Sequence, residues 1–167
     1  MSGTPFRWFA IGGIATSVRI LHVDDDPIIL DIVAFSLALN PAIELTSCGD
    51  AREAIAVATS RAPDLILCDV VMPNMSGPAM LARLRENPNT AKIPFVFITA
   101  NARAKEVGML KALGSVAVIT KPFDPLIFAK RVLDHLRFVR DQRIENKGET
   151  ATLSLGHASR GNVISSC

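Results

Sequence analysis

From Val18 onward, short apolar runs alternate with longer stretches whose apolar residues recur at helical spacing, and the alternation repeats five times. This is the pattern of strand and helix units wound into a parallel sheet. Strands are predicted over Val18 to Val23 (VRILHV), Ile43 to Cys48, Leu65 to Val70 (LILCDV), Pro94 to Thr99 (PFVFIT) and Val116 to Thr120. Helices are predicted from Pro27 to about Leu39, from Asp50 to near Ser60, from Gly77 to just before Asn87, from about Ala102 to Leu113, and from Asp124–Pro125 to about Arg140. The boundaries have chemical causes. Proline suits a first helical turn, Asp50 with Glu53 forms a capping arrangement, and Asn40–Pro41, Asn87–Pro88 and Gly114 stop the helices before them. Leu65 to Val70 is apolar but for Asp69, as expected of a central strand covered by helices on both faces.

Composition adds limits. A chain of 167 residues with 49% hydrophobic and 20% charged residues can bury one real core and carry short tails. The expected organisation is a leader over residues 1–17, one domain over 18–140, and a polar tail over 141–167 with too little apolar periodicity to order itself. The leader carries Phe6, Trp8 and Phe9, which is compatible with docking on the domain, with a dimer contact, or with an upstream start codon. Its apolar stretch, Phe6 to Val18, contains Arg7 and Gly12–Gly13 and falls short of the roughly 20 residues a membrane span needs, so no span is expected. No basic region precedes it, so no export signal is expected either. Between Val18 and Phe138, 13 basic residues balance 13 acidic ones, which disfavours nucleic acid as a partner. Three cysteines, Cys48, Cys68 and Cys167, without CxxC spacing argue against a disulfide framework or a zinc site and suit the cytoplasm.

The chemistry lies at the strand ends. In an open parallel α/β sheet the functional crevice forms outside the carboxyl ends of the strands. Asp24, Asp25 and Asp26 end the first strand, Asp69 the third and Thr99 the fourth, and Lys121 follows the fifth. Carboxylates held together repel unless a cation sits among them, and a nest of hard oxygens suits magnesium. A lysine and a magnesium ion could stabilise a moving phosphoryl group while a carboxylate, most naturally Asp69, acts as nucleophile. Taken singly, each acid also fits helix or turn capping, and Lys121 fits a surface ion pair. Convergence at four strand ends favours the chemical reading.

The blocks VRILHVDDDP, LILCDVVMPNMSG, FVFITA and VITKPF resemble, in order and spacing, the signatures of the response-regulator receiver family over about residues 18 to 138. The separations from Asp25 to Asp69, Asp69 to Thr99 and Thr99 to Lys121, which are 44, 30 and 22 positions, resemble those of chemotaxis-type receivers. The resemblance implies a doubly wound five-stranded parallel α/β sheet of flavodoxin-like order 2-1-3-4-5 with helices on both faces. It implies that Asp69 accepts a phosphoryl group from a histidine kinase or histidine phosphotransfer protein and passes a signal to a downstream protein target. It further implies Mg2+ held by Asp24, Asp25, Asp69 and the backbone carbonyl of Val71, with Asp24 acting largely through water and Asp26 outside the set. Lys121 would contact the phosphoryl oxygens, Thr99 would swing toward them, and the Lys121–Pro122 bond would be cis.

One departure bears on signalling: many relatives carry Tyr or Phe three positions before the lysine, where this chain has Val118. A receiver-like interaction module that works without phosphorylation therefore stands as the alternative. A metal-dependent phosphohydrolase would show D-x-D at its nucleophile, whereas Val70 and Val71 follow Asp69. His22 is expected to be buried and hydrogen-bonded, Cys68 to be core, and Phe123, Phe128, Leu133 and Leu136 to pack the last helix on the sheet.

Overall fold

The computed structural model describes residues 17–156. Five strands, β1 (Val18–Val23), β2 (Ile43–Cys48), β3 (Leu65–Asp69), β4 (Phe95–Thr99) and β5 (Ala117–Thr120), form one parallel sheet in the order β2-β1-β3-β4-β5. Five helices alternate with them: α1 (Pro27–Ala38), α2 (Ala51–Arg61), α3 (Gly77–Glu86), α4 (Ala104–Ala112) and α5 (Pro125–Gly156). The doubly wound order is the expected one.

Side-chain alternation divides the core into two layers. Leu21, Val23, Ile66, Cys68, Phe95 and Phe97 pack on one face with residues of α2 and α3. Ile20, Leu65, Leu67, Val96 and Ile98 pack on the other with Val33 and Leu37 of α1 and Phe128, Val132 and Leu136 of α5. β3 and β4 are buried along their whole length, which is why their sequences are apolar runs without alternation. The expected core positions Cys68, Phe128, Leu133 and Leu136 are buried, and Phe123 is partly so, stacked on Phe128 at 4.3 Å.

Helix starts follow capping chemistry. Asp26 caps α1 by accepting from Ile28 N–H, and Asp50 caps α2 by accepting from Arg52 and Glu53 N–H. Most boundaries shift by a residue or two from expectation, and one shifts far: α5 continues past Arg140 to Gly156. The stretch DQRIENK lacks apolar periodicity, but it is free of proline and holds Gln, Arg, Glu and Lys, which are good helix formers. Residues 1–16 of the leader and residues 157–167, Cys167 and His157 among them, lie outside the described residues. Among the described residues no helix is long and apolar enough to cross a membrane.

Candidate functional site

Strand register builds the carboxyl edge of the sheet. β1 and β3 pair as far as Val23 and Cys68, so the next residues, Asp24 and Asp69, leave neighbouring strands side by side. β4 pairs with β5 at Thr99 and Thr120, which places Lys121 one residue beyond Thr120. Lys121 N–H then donates to the Thr99 carbonyl at 2.7 Å, and the Lys121–Pro122 bond is cis.

The lysine joins the two acids. Lys121 Nζ donates to Asp69 Oδ1 at 2.6 Å and to Asp24 Oδ2 at 2.8 Å. Each carboxylate keeps its second oxygen on backbone: Asp24 Oδ1 accepts from Asp26 N–H at 3.0 Å, and Asp69 Oδ2 accepts from Val71 N–H at 2.7 Å. Thr99 is buried at the same edge, and its Oγ1 accepts from Asn101 N–H at 3.1 Å. Asp25 and Asp26 are exposed, and the side chain of Val71 stands 79% exposed beside Asp69.

Burial sets the electrostatics. It pushes the Asp24 carboxyl above its ordinary range, and this outweighs the hydrogen bonds from Lys121 and Asp26. Burial alone would lower Lys121, but its hydrogen bonds to Asp24 and Asp69 and their charges prevail and raise it. One ammonium is thus shared between two carboxylates at this edge. Among the described residues no three His, Cys, Asp or Glu side chains meet in a cluster able to hold a metal ion; Lys121 Nζ bridges Asp24 and Asp69, and Asp25 is exposed.

Two features were not legible in advance. Gly77 N–H donates to the Val70 carbonyl at 3.0 Å, so α3 begins against the end of β3. A side-chain carbon there would fall well inside contact distance of the Asp69 carbonyl oxygen and 3.1 Å from the Phe97 ring, so only glycine fits. The sequence marks Gly77 merely as a helix start. His22 is buried as expected but not hydrogen-bonded: among the described residues neither ring nitrogen has a partner. It shares the strand face of Val18 and Ile20, which lie in an apolar cluster.

With this geometry established, comparison with known proteins is direct. Residues 20–132 match the response regulator receiver domain family. An uncharacterised 14.6 kDa protein of Leptolyngbya boryana is 37% identical over 64% of this chain and 81% of its own length. A probable chemotaxis protein CheY of Rhizobium etli is 32% identical over 66% of this chain and 85% of its own length. The solved chemotaxis response regulator CheY4 of Vibrio cholerae superposes with a TM-score of 0.67 at 28% identity, covering 72% of this chain and 99% of that one. Other curated relatives are longer, and this chain spans only 27% or 28% of them. The chain belongs to the response regulator receiver domain family of two-component signalling. Receiver domains are signalling phosphoacceptors rather than classical enzymes, and as a family they bind Mg2+ in the acidic pocket and interact with kinases or phosphotransfer proteins.

Proposed function

We propose that this receiver takes a phosphoryl group from the phosphohistidine of a histidine kinase or histidine phosphotransfer protein onto Asp69, and thereby switches or relays a signal to a downstream protein. The observation that supports this most is the Lys121 ammonium held between the Asp69 and Asp24 carboxylates at the carboxyl edge of the sheet. An Asp69 oxygen attacks phosphorus, the bond from phosphorus to the donor nitrogen breaks, and the electron pair leaves with the imidazole. Val71 N–H fixes the orientation of the Asp69 carboxylate, so the nucleophile is positioned before the donor arrives. Lys121, already within hydrogen-bond distance of Asp69, can follow the charge onto the phosphoryl oxygens. The Thr99 oxygen accepts from Asn101 N–H, and its hydroxyl proton suits a phosphoryl oxygen.

Asp24, Asp25, Asp69 and the Val71 carbonyl would hold Mg2+. In donor chemistry they fit it, since all are hard oxygens; as they stand no three of these carboxylates meet among the described residues, so the exposed Asp25 would turn inward to close the site. When bound, magnesium supplies positive charge to the carboxylates and to the phosphoryl oxygens. Cys48 and Cys68 are buried free thiols, Cys68 driven upward chiefly by burial, and this inert pair suits the cytoplasm. One observation favours the alternative of a module that works unphosphorylated: Val118 packs partly buried against the core beside Phe97 and brings no ring to swing between two rotamers.

The test is incubation of wild type and Asp69→Asn with acetyl phosphate, with and without magnesium, followed by intact mass. Addition of one phosphoryl mass to the wild type alone, and only with magnesium, is the expected result. No addition under any condition would favour the unphosphorylated module.

A further inference from the structure

Helix α1, PIILDIVAFSLA, carries one charged residue, Asp31, yet it is not enclosed. Val33, Ser36 and Leu37 face the core, while Ile28, Phe35 and Leu39 are 66%, 62% and 54% exposed. Their spacing of seven and four residues sets them in one stripe along the outer side of the helix. Beside Leu39, between α1 and α5, a groove of about 320 Å³ is walled by Leu126, Ala129 and Leu133. The charges on its rim satisfy one another, with Lys130 at 2.9 Å and Arg137 at 3.8 Å from Asp134. Exposed apolar side chains gathered beside such a groove mark a contact.

The chain also holds a cover for it. Val18 N–H donates to the Ala42 carbonyl at 2.7 Å, so the chain enters the domain close to the end of α1, at the foot of the stripe. Just upstream, FRWFAIGGI over residues 6–14 offers Phe6, Trp8, Phe9, Ile11 and Ile14 with a single charge, Arg7. The residues from 6 to 17 reach up to about 40 Å when extended, and α1 is only about 18 Å long. We propose that residues 6–14 pack in cis on the outer stripe of α1 and into the groove between α1 and α5. A segment tethered at the foot of its own groove has an effective concentration near the millimolar range, which a second copy must exceed to displace it. The nearly uncharged segment also matches a rim whose charges are already paired.

Trp8 is the sole tryptophan of a chain without tyrosine, so its emission reports on this segment alone. The experiment uses the full chain and reads Trp8 emission and acrylamide quenching over a dilution series. The wild type is expected to show blue-shifted emission and several-fold weaker quenching than free tryptophan amide, both unchanged by dilution. Phe35→Glu and Leu39→Glu, at exposed positions and checked for retained fold by far-UV circular dichroism, should each move emission and quenching to the values of free tryptophan amide. Met109→Glu, at an exposed position of α4, should not. Wild-type emission like that in water, a blue shift that survives both α1 substitutions, or a response to Met109→Glu would overturn the proposal. A blue shift lost on dilution would overturn it in favour of a second copy on the same face.

Discussion

Replacing His22 by leucine exchanges two polar ring nitrogens in the sheet interior for apolar atoms of similar bulk. His22 lies between Ser47 and Leu67 in the sheet, is fully buried, and has no hydrogen-bond partner on either nitrogen among the described residues. Leaving a buried polar group unsatisfied costs about 1–3 kcal/mol, so His22→Leu should stabilise the fold by about 1–2 kcal/mol at pH 7.5 after a small repacking cost. The histidine also makes stability depend on pH. Burial first, and the positive charge of Lys121 second, lower its pKa from 6.5 to about 3. The unfolded chain binds a proton near pH 6.5 while the folded one refuses it, so stability is lost as pH falls from 6.5 toward 3. At pH 5 that loss is about 2 kcal/mol relative to pH 7.5, and the leucine variant lacks it. The advantage of His22→Leu should therefore widen to about 3–4 kcal/mol at pH 5. Urea titrations at the two pH values, followed by far-UV circular dichroism because Trp8 lies in the leader, measure both numbers. Equal loss of stability between pH 7.5 and 5 in the two proteins would refute the reasoning, whatever the offset at pH 7.5.

Three further expectations follow from the same geometry. Gly77→Ala drives a methyl group against the Asp69 carbonyl oxygen, and it should destabilise the fold by about 2 kcal/mol or more and slow phosphoryl acceptance, measured by urea titration and by adduct mass over time. Lys121→Ala leaves Asp24 without its ammonium; the pair is partly open to solvent, so the expected cost is about 2–3 kcal/mol, and added magnesium should raise the melting temperature of this variant more than that of the wild type. Ala62 closes α2 in the left-handed region at φ 44°, and Ala62→Gly should raise stability by about 0.5–1 kcal/mol; a lowered melting temperature would contradict the strain argument.

The central strands were readable because β3 and β4 are buried on both faces and therefore written as unbroken apolar runs ending in Asp69 and Thr99, whereas the strand order came from the family resemblance. The site was readable for a related reason: parallel register carries strand ends to one edge, so residues far apart in sequence converge there without any local signal. What escaped reading was what depends on neighbours. Periodicity placed His22 inside but could not say that its surroundings offer no acceptor or donor. Gly77 looked like a helix start because proximity to the Asp69 backbone leaves no mark in sequence. The apolar run of α1 does not say which of its sides packing covers, and Phe35 and Leu39 are left outside. The continuation of α5 past Arg140 carries no apolar periodicity, which is why the sequence pattern did not report it.

The central claim is that Asp69, and no other carboxylate of the acidic edge, becomes the acyl phosphate. Borohydride reduction of the phosphorylated chain converts an aspartyl phosphate to homoserine, and a peptide map then locates it. The account predicts homoserine at position 69 after treatment with phosphodonor and magnesium, and unmodified aspartate at 24, 25 and 26. Homoserine at any of those three positions, or none at position 69 in a chain that has gained phosphoryl mass, would contradict it.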